Sequence, residues 1–325
     1  MSDTLPQKPV CVTIGQEIAR YGFPGGHPFG PHRMGAFWDE AQIQGVETQV
    51  QVMAPVMATT EELQRFHTPE YVQQVQNQSI TGKGFLDYGD TPAFLGVYEA
   101  SAHVVGSALD LTRRIMSGSC SRAFVPIAGL HHARPERAGG FCVFNDIGVV
   151  IHTLRQEFGL QRVAYVDIDA HHGDGVFYAF ESDPDVRILD FHQDGNSLYP
   201  GTGDSSETGL GTASGTKLNI PMPPGAGDVH FMQRWPQGVR FLEEGKPEFI
   251  ILQCGADSIA GDPLTHLRLS HTLHGQVATR LVRLAEEMGH GRILALGGGG
   301  YNSVNIGKGW CAVTKALINT PYGLH

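Results

Sequence analysis

RVAYVDIDAHHGDGV, residues 162–176, decides the fold. Its first part is an apolar run without alternation, which suits a strand covered on both faces, as in a parallel sheet. Its second part crowds acids, histidines and glycines where that strand should stop. The same pattern recurs outward from it in RAFVPIAG (122–129), VRILDF (186–191), EFIILQCGAD (248–257) and RILALGGGG (292–300). Between these runs lie stretches with apolar residues at helical spacing: 144–159, 231–245 and 270–289. The middle one holds Pro236 and is expected to kink or begin there. Strands alternating with helices predict a doubly wound α/β domain with a central, mostly parallel sheet flanked by helices. In such folds ligands bind beyond the carboxyl ends of the strands.

Toward the N-terminus, TTEELQRFH places Thr59 and Glu62 at capping-box spacing. A long helix is expected over 92–116, opening on Pro92. Residues 1–9 read as a flexible tail and 10–325 as a single domain. With 41% hydrophobic and 17% charged residues, the 325-residue chain is suited to a large core and not to disorder. The net charge of −10 repels nucleic acid phosphates and modestly attracts cationic substrates, so no direct nucleic acid binding is expected. No apolar run approaches the roughly 20 residues needed to cross a bilayer. MSDTLPQKP lacks the layout of a secretory signal, so the expected location is cytoplasmic, with no membrane association. Cys11, Cys120, Cys142, Cys254 and Cys311 are scattered and odd in number, and are expected to be reduced thiols in the core.

The chemistry gathers at the strand ends. In extended chain, residues two apart point the same way, so Asp169 and His171 can share one focus, with Asp167 nearby and His172 turned elsewhere. Adding Asp257 from another strand end makes a three-ligand set with an open position, as catalytic metals use. Oxygen and nitrogen ligands without cysteine fit zinc, and ligand type alone does not exclude Fe(II) or Mn(II). Two aspartates already neutralise a divalent ion, so such a site needs a base and an electrophile beside it. The adjacent His131 and His132 are base candidates that Asp167 and Asp174 could orient, and Tyr301 could donate to an oxyanion. GGGG at 297–300 lacks the ending of a phosphate loop, and no GxSxG nucleophile elbow is present.

The chain resembles the histone deacetylase superfamily, which includes acetoin-utilisation proteins and acetylpolyamine amidohydrolases. The resemblance rests on HPFGPHRM (27–34), FHTPEYV (66–72), GDTPAFLGVYEAS (89–101) and GLHHARPERAGGFCVFND (129–146). It continues through VDIDAHHGDGV (166–176), LYPGTGD (198–204), QCGADSIAGDPL (253–264) and LGGGGYN (296–302). It implies an arginase–deacetylase fold over 10–325 and a zinc site of Asp169, His171 and Asp257. It implies His132 as general base and acid, His131 as its electrostatic partner, and Asp174 and Asp167 as their respective carboxylates. Tyr301 would polarise the carbonyl, Gly140, Phe141 and Tyr199 would wall an acyl-lysine tunnel, Asp90 would hold substrate backbone at the rim, and Arg33 would line an acetate-release channel. Where the family commonly has a serine that helps bind a structural potassium ion, this chain has Asp190, so K+ near Asp167 and Asp190 is a looser expectation. The implied activity is removal of acetyl groups from N6-acetyl-lysine in proteins or peptides. Acetylpolyamines or other small acylated amines are the alternative substrates. A non-catalytic acyl-lysine binder is the reading from a different class, but no ligand or tyrosine is missing.

Overall fold

The protein is described from a computed structural model covering residues 9–320; the expected tail, apart from Pro9, lies outside the described residues. A single sheet of eight strands organises it, in the order β2-β1-β3-β8-β7-β4-β5-β6. The strands are β1 (Val10–Thr13), β2 (Gln51–Met53), β3 (Arg122–Val125), β4 (Val163–Asp167), β5 (Val186–Gln193), β6 (Lys217–Met222), β7 (Phe249–Gln253) and β8 (Ile293–Leu296). Every pairing is parallel. The five apolar runs supply β3, β4, β5, β7 and β8, which are buried almost throughout.

The strand order positions the site. After β3 the chain leaves a gap before β4, and the late strands β7 and β8 fill it. Four strands whose ends carry acids, histidines or the glycine run thereby become neighbours: β3, β8, β7 and β4. Their registers align the ends, Asp167 opposite both Gln253 and Asp190, and Leu296 opposite both Val125 and Gln253.

The capping box forms as expected, with Glu62 N–H donating to Thr59 and the Glu62 carboxylate accepting from Thr59 N–H. Three expectations need correction. The long helix begins later, at Val97, and runs to Ser117. Pro92 instead bridges Phe85, and Gly96 enters the helix with φ 83, a conformation that only glycine adopts freely. Of the two outcomes expected at Pro236, a start is excluded, because the helix begins before it and runs Asp228–Gly245. Burial of Phe231, Trp235, Phe241 and Leu242 holds it together through the proline, whose helix-interior cost is about 3 kcal/mol. Finally, Cys11 and Cys120 form a disulfide across 109 residues, while the other three cysteines are buried free thiols. Cys11 lies opposite Ala123 in the β1–β3 pair, so the residues leading into β3 reach it. Sequence spacing carries no trace of that pairing. Among the described residues, no helix is long and apolar enough to cross a membrane.

Candidate active site

Asp167 closes β4, and the chain beyond it turns on its own carboxylates. Asp167 accepts from Asp169 N–H at 3.0 Å, and Asp169 accepts from His171 N–H at 3.0 Å. These turns point Asp169 and His171 into one focus. Asp257, on the 3-10 turn Ala256–Ser258 after β7, is tied in by Ala170 N–H at 2.9 Å. His171 Nδ1 lies 3.0 Å from an Asp169 oxygen and 3.1 Å from an Asp257 oxygen, and all three side chains are buried or nearly so. Two glycines make room for this convergence. A Cβ on Gly299 would sit 2.2 Å from Asp257 Oδ2, and one on Gly255 would sit 2.0 Å from Asp169 Oδ2.

The donor set fits a divalent cation. Ligand bonds of about 2.0–2.2 Å put neighbouring donors roughly 3–3.5 Å apart, which the two His171 distances match, and all three donors lie within 4.8 Å of one another. Burial and the charge of Asp169 push the Asp257 carboxyl up to about 7, a like-charge cost that a divalent cation between the two would relieve.

His131 and His132 follow β3 on a loop held by Asp146, which accepts from Gly129 and Leu130 N–H at 2.9 to 3.0 Å. His131 Nδ1 meets Asp167 at 2.7 Å and His132 Nδ1 meets Asp174 at 2.7 Å, while their Nε2 atoms are 3.1 Å apart. Burial would lower His131, but the charges of Asp167 and Asp169 outweigh it and push it up to about 9. Burial and the neighbouring His131 charge push His132 down to about 4, although Asp174 pulls the other way.

The walls converge on the same point. Phe141 sits in the left-handed region at φ 68, a strained choice for an aromatic residue, with its ring 6.1 Å from that of Tyr301. Tyr199 packs 5.1 Å from the His132 ring, and Gly140 leaves the space between them open, since a Cβ there would meet both. Burial and the charges of Asp257 and Asp169 hold the Tyr301 phenol well above its usual range, so it stays a protonated donor. Asp90 lies farther out, lining a cavity of about 500 Å³ that reaches in to His132 and Tyr199. Arg33 is fully buried behind the glycine run, donating to Gly300 and Gly298 carbonyls and stacking 3.9 Å over Phe29. Its Nη1 has no partner among the described residues.

Several contributors escaped the sequence reading. Gln253 donates to Asp169 at 2.8 Å, Tyr165 donates to Asp167, Asp262 anchors Tyr301 N–H at 2.9 Å, and Arg134 pairs with Asp174 at 2.9 Å. Gln253 was readable in principle, because it is polar at the end of an otherwise apolar strand.

A family model described as histone deacetylase domain matches residues 27–317. The acetoin utilization protein AcuC of Bacillus subtilis (strain 168) is 36% identical over 293 residues, covering 87% of this chain and 75% of its own. AcuC of Staphylococcus xylosus is 33% identical over 96% of this chain and 83% of its own. Among solved structures, the HDA15 HD domain superposes with a TM-score of 0.87 at 27% identity, covering 97% of this chain and 92% of that one. The chain belongs to the histone deacetylase domain family and is a deacetylase hydrolase.

Proposed function

We propose that the protein is a zinc-dependent lysine deacetylase, hydrolysing N6-acetyl-lysine in proteins or peptides. The observation that carries this reading is the convergence of Asp169, His171 and Asp257 beside a neutral histidine and a protonated phenol. Asp169, His171 and Asp257 would hold the ion, which when bound supplies Lewis acidity toward the amide carbonyl and the attacking water.

The chain's own residues do the rest. His132 Nε2, with Nδ1 fixed by Asp174, takes a proton from water and returns it to the departing amine. His131, held by Asp167, supplies a neighbouring charge that keeps His132 neutral in the resting site. Tyr301 donates to the oxygen on which charge develops. Gly140, Phe141 and Tyr199 enclose the lysine stem, Asp90 takes a main-chain N–H at the rim, and the free Nη1 of Arg33 receives acetate. Both Asp190 oxygens are engaged, by His192 at 2.7 Å and Gly173 N–H at 2.9 Å. Potassium, if held near Asp167 and Asp190, would add a positive charge beside these buried carboxylates.

The test is a hydrolysis panel of acetyl-lysine peptides, longer acyl-lysine peptides and acetylpolyamines, with and without chelator. Acetyl-lysine peptides should be cleaved after zinc loading and not after chelation, and Asp257→Ala should lose both metal and turnover. Cleavage of acetylpolyamines alone, or full metal retention by Asp257→Ala, would overturn the reading.

A further inference from the structure

The cavity outside His132 carries a local charge pattern that the net charge does not forecast. Three carboxylates line it, two of them committed to partners and the third partly neutralised. Asp87 accepts the N–H groups of Gly89, Asp90 and Thr91 at 2.9 to 3.1 Å and the Thr91 hydroxyl at 2.6 Å. Asp174 is divided between His132 and Arg134. Asp90 sits against Asp87; burial and that neighbour push it up to about 7, so its charge is partly lost near neutrality.

Arg137 is placed differently. Its one ion pair among the described residues is a 3.5 Å contact with Glu136, whose side chain is 55% exposed. Its guanidinium lies 5.5 Å from the ring of Tyr88, itself almost fully exposed. The backbone under it is firm. Arg134 and Arg137 face each other across a tight turn, with N–H to carbonyl distances of 2.9 and 3.4 Å. Thr68 N–H fastens the turn through the Pro135 carbonyl at 2.9 Å, and His67 meets the Arg134 carbonyl at 3.1 Å. A guanidinium on a fixed turn, lining the same cavity as His132 and without a strong partner, is suited to a planar anion.

We propose that Arg137 reads a carboxylate of the substrate, so that the preferred acyl-lysine carries an anionic group next to the acylated side chain. The inference rests on the deacetylase reading and narrows its substrate class. The carboxylate has two sources, the α-carboxylate of a C-terminal or free acyl-lysine, or a neighbouring aspartate or glutamate of a peptide. Acetylpolyamines offer neither.

The experiment uses zinc-loaded enzyme and two matched pairs of acetyl-lysine peptides. One pair has Glu or Gln after the acetyl-lysine; the other ends at the acetyl-lysine as free acid or amide. kcat/KM and calorimetric affinity are measured for wild type, Arg137→Gln and Arg137→Lys. Wild type should favour the acidic member of at least one pair by three- to tenfold, and the pair that shows it identifies the source. The ratio should fall toward one in Arg137→Gln and be partly kept in Arg137→Lys. A wild-type ratio of one in both pairs, or a ratio that Arg137→Gln leaves intact, overturns the proposal. A binding preference lost in Arg137→Gln without hydrolysis of any peptide would sustain it while removing the acetyl-lysine peptide as the substrate hydrolysed.

Discussion

His131 and His132 are chain neighbours, each with Nδ1 2.7 Å from a buried aspartate oxygen, yet one is driven up to about 9 and the other down to about 4. The partner distance is identical, so it cannot be the cause. The difference lies in what surrounds each pair. His131 faces Asp167, Asp169 and Asp190, three buried carboxylates whose charges outweigh the cost of burial. His132 faces the charged His131, and its own carboxylate is shared with Arg134. Two copies of one dyad thus become a resident charge and a neutral acceptor, because electrostatics at a buried site sums over all neighbours.

The largest expected effect breaks the apparent equivalence directly. His132→Gln should lose about 10²–10⁴ in kcat, the range for removing a general base, with metal content unchanged. His131→Gln should cost markedly less, because it removes a charge and not the proton carrier. Steady-state kinetics with elemental analysis of both variants decides it. Equal losses would mean the two pairs act as one unit.

Next in size is Tyr301→Phe, which leaves both dyads intact and removes the donor across from them. Loss of one oxyanion donor costs about 10²–10³ in kcat. KM should move little, since the hydrogen bond strengthens mainly in the transition state. A kcat within about twofold of wild type would leave the phenol a packing group against Phe29 and Phe141.

The contrast between the dyads also shows what a sequence can and cannot disclose. The central strands were legible because each is an uninterrupted apolar run, and Asp169 and His171 share a focus because extended backbone alternates. These two outer strands were not, since β2 is short and largely exposed and β6 mixes Lys217 and Asn219 into its run. Lys217 is buried because its ammonium donates to the Asp183 and Val186 carbonyls at 2.8 and 2.7 Å, a pairing between segments that no local pattern encodes. The Cys11–Cys120 disulfide and the Arg134–Asp174 pair are hidden for the same reason. Both depend on which segments the sheet order brings together, across 109 and 40 residues.

The smallest expected effect sharpens the comparison, because it makes one dyad more like the other. Asp174 is held down to about 2; burial would raise it, but His132 and Arg134 outweigh that. Removing the guanidinium in Arg134→Met leaves the carboxylate to His132 alone, so its full charge acts on the imidazole and His132 should become more basic. His132 must be neutral to accept a proton, so activity rises with pH through its pKa. The acid limb of kcat/KM, expected well below 6.5 in wild type, should therefore move to higher pH. Arg134 is 30% exposed, and ion pairs open to solvent are worth about 0–1 kcal/mol, so the shift should stay under about one pH unit. Above the limb, near pH 8, turnover should remain within about threefold of wild type. The measurement is a kcat/KM profile from pH 5 to 9 on one neutral acetyl-lysine peptide. A limb that stays in place would show that Arg134 merely fastens the turn leading to Arg137, and that the asymmetry of the dyads comes from the other charges around them.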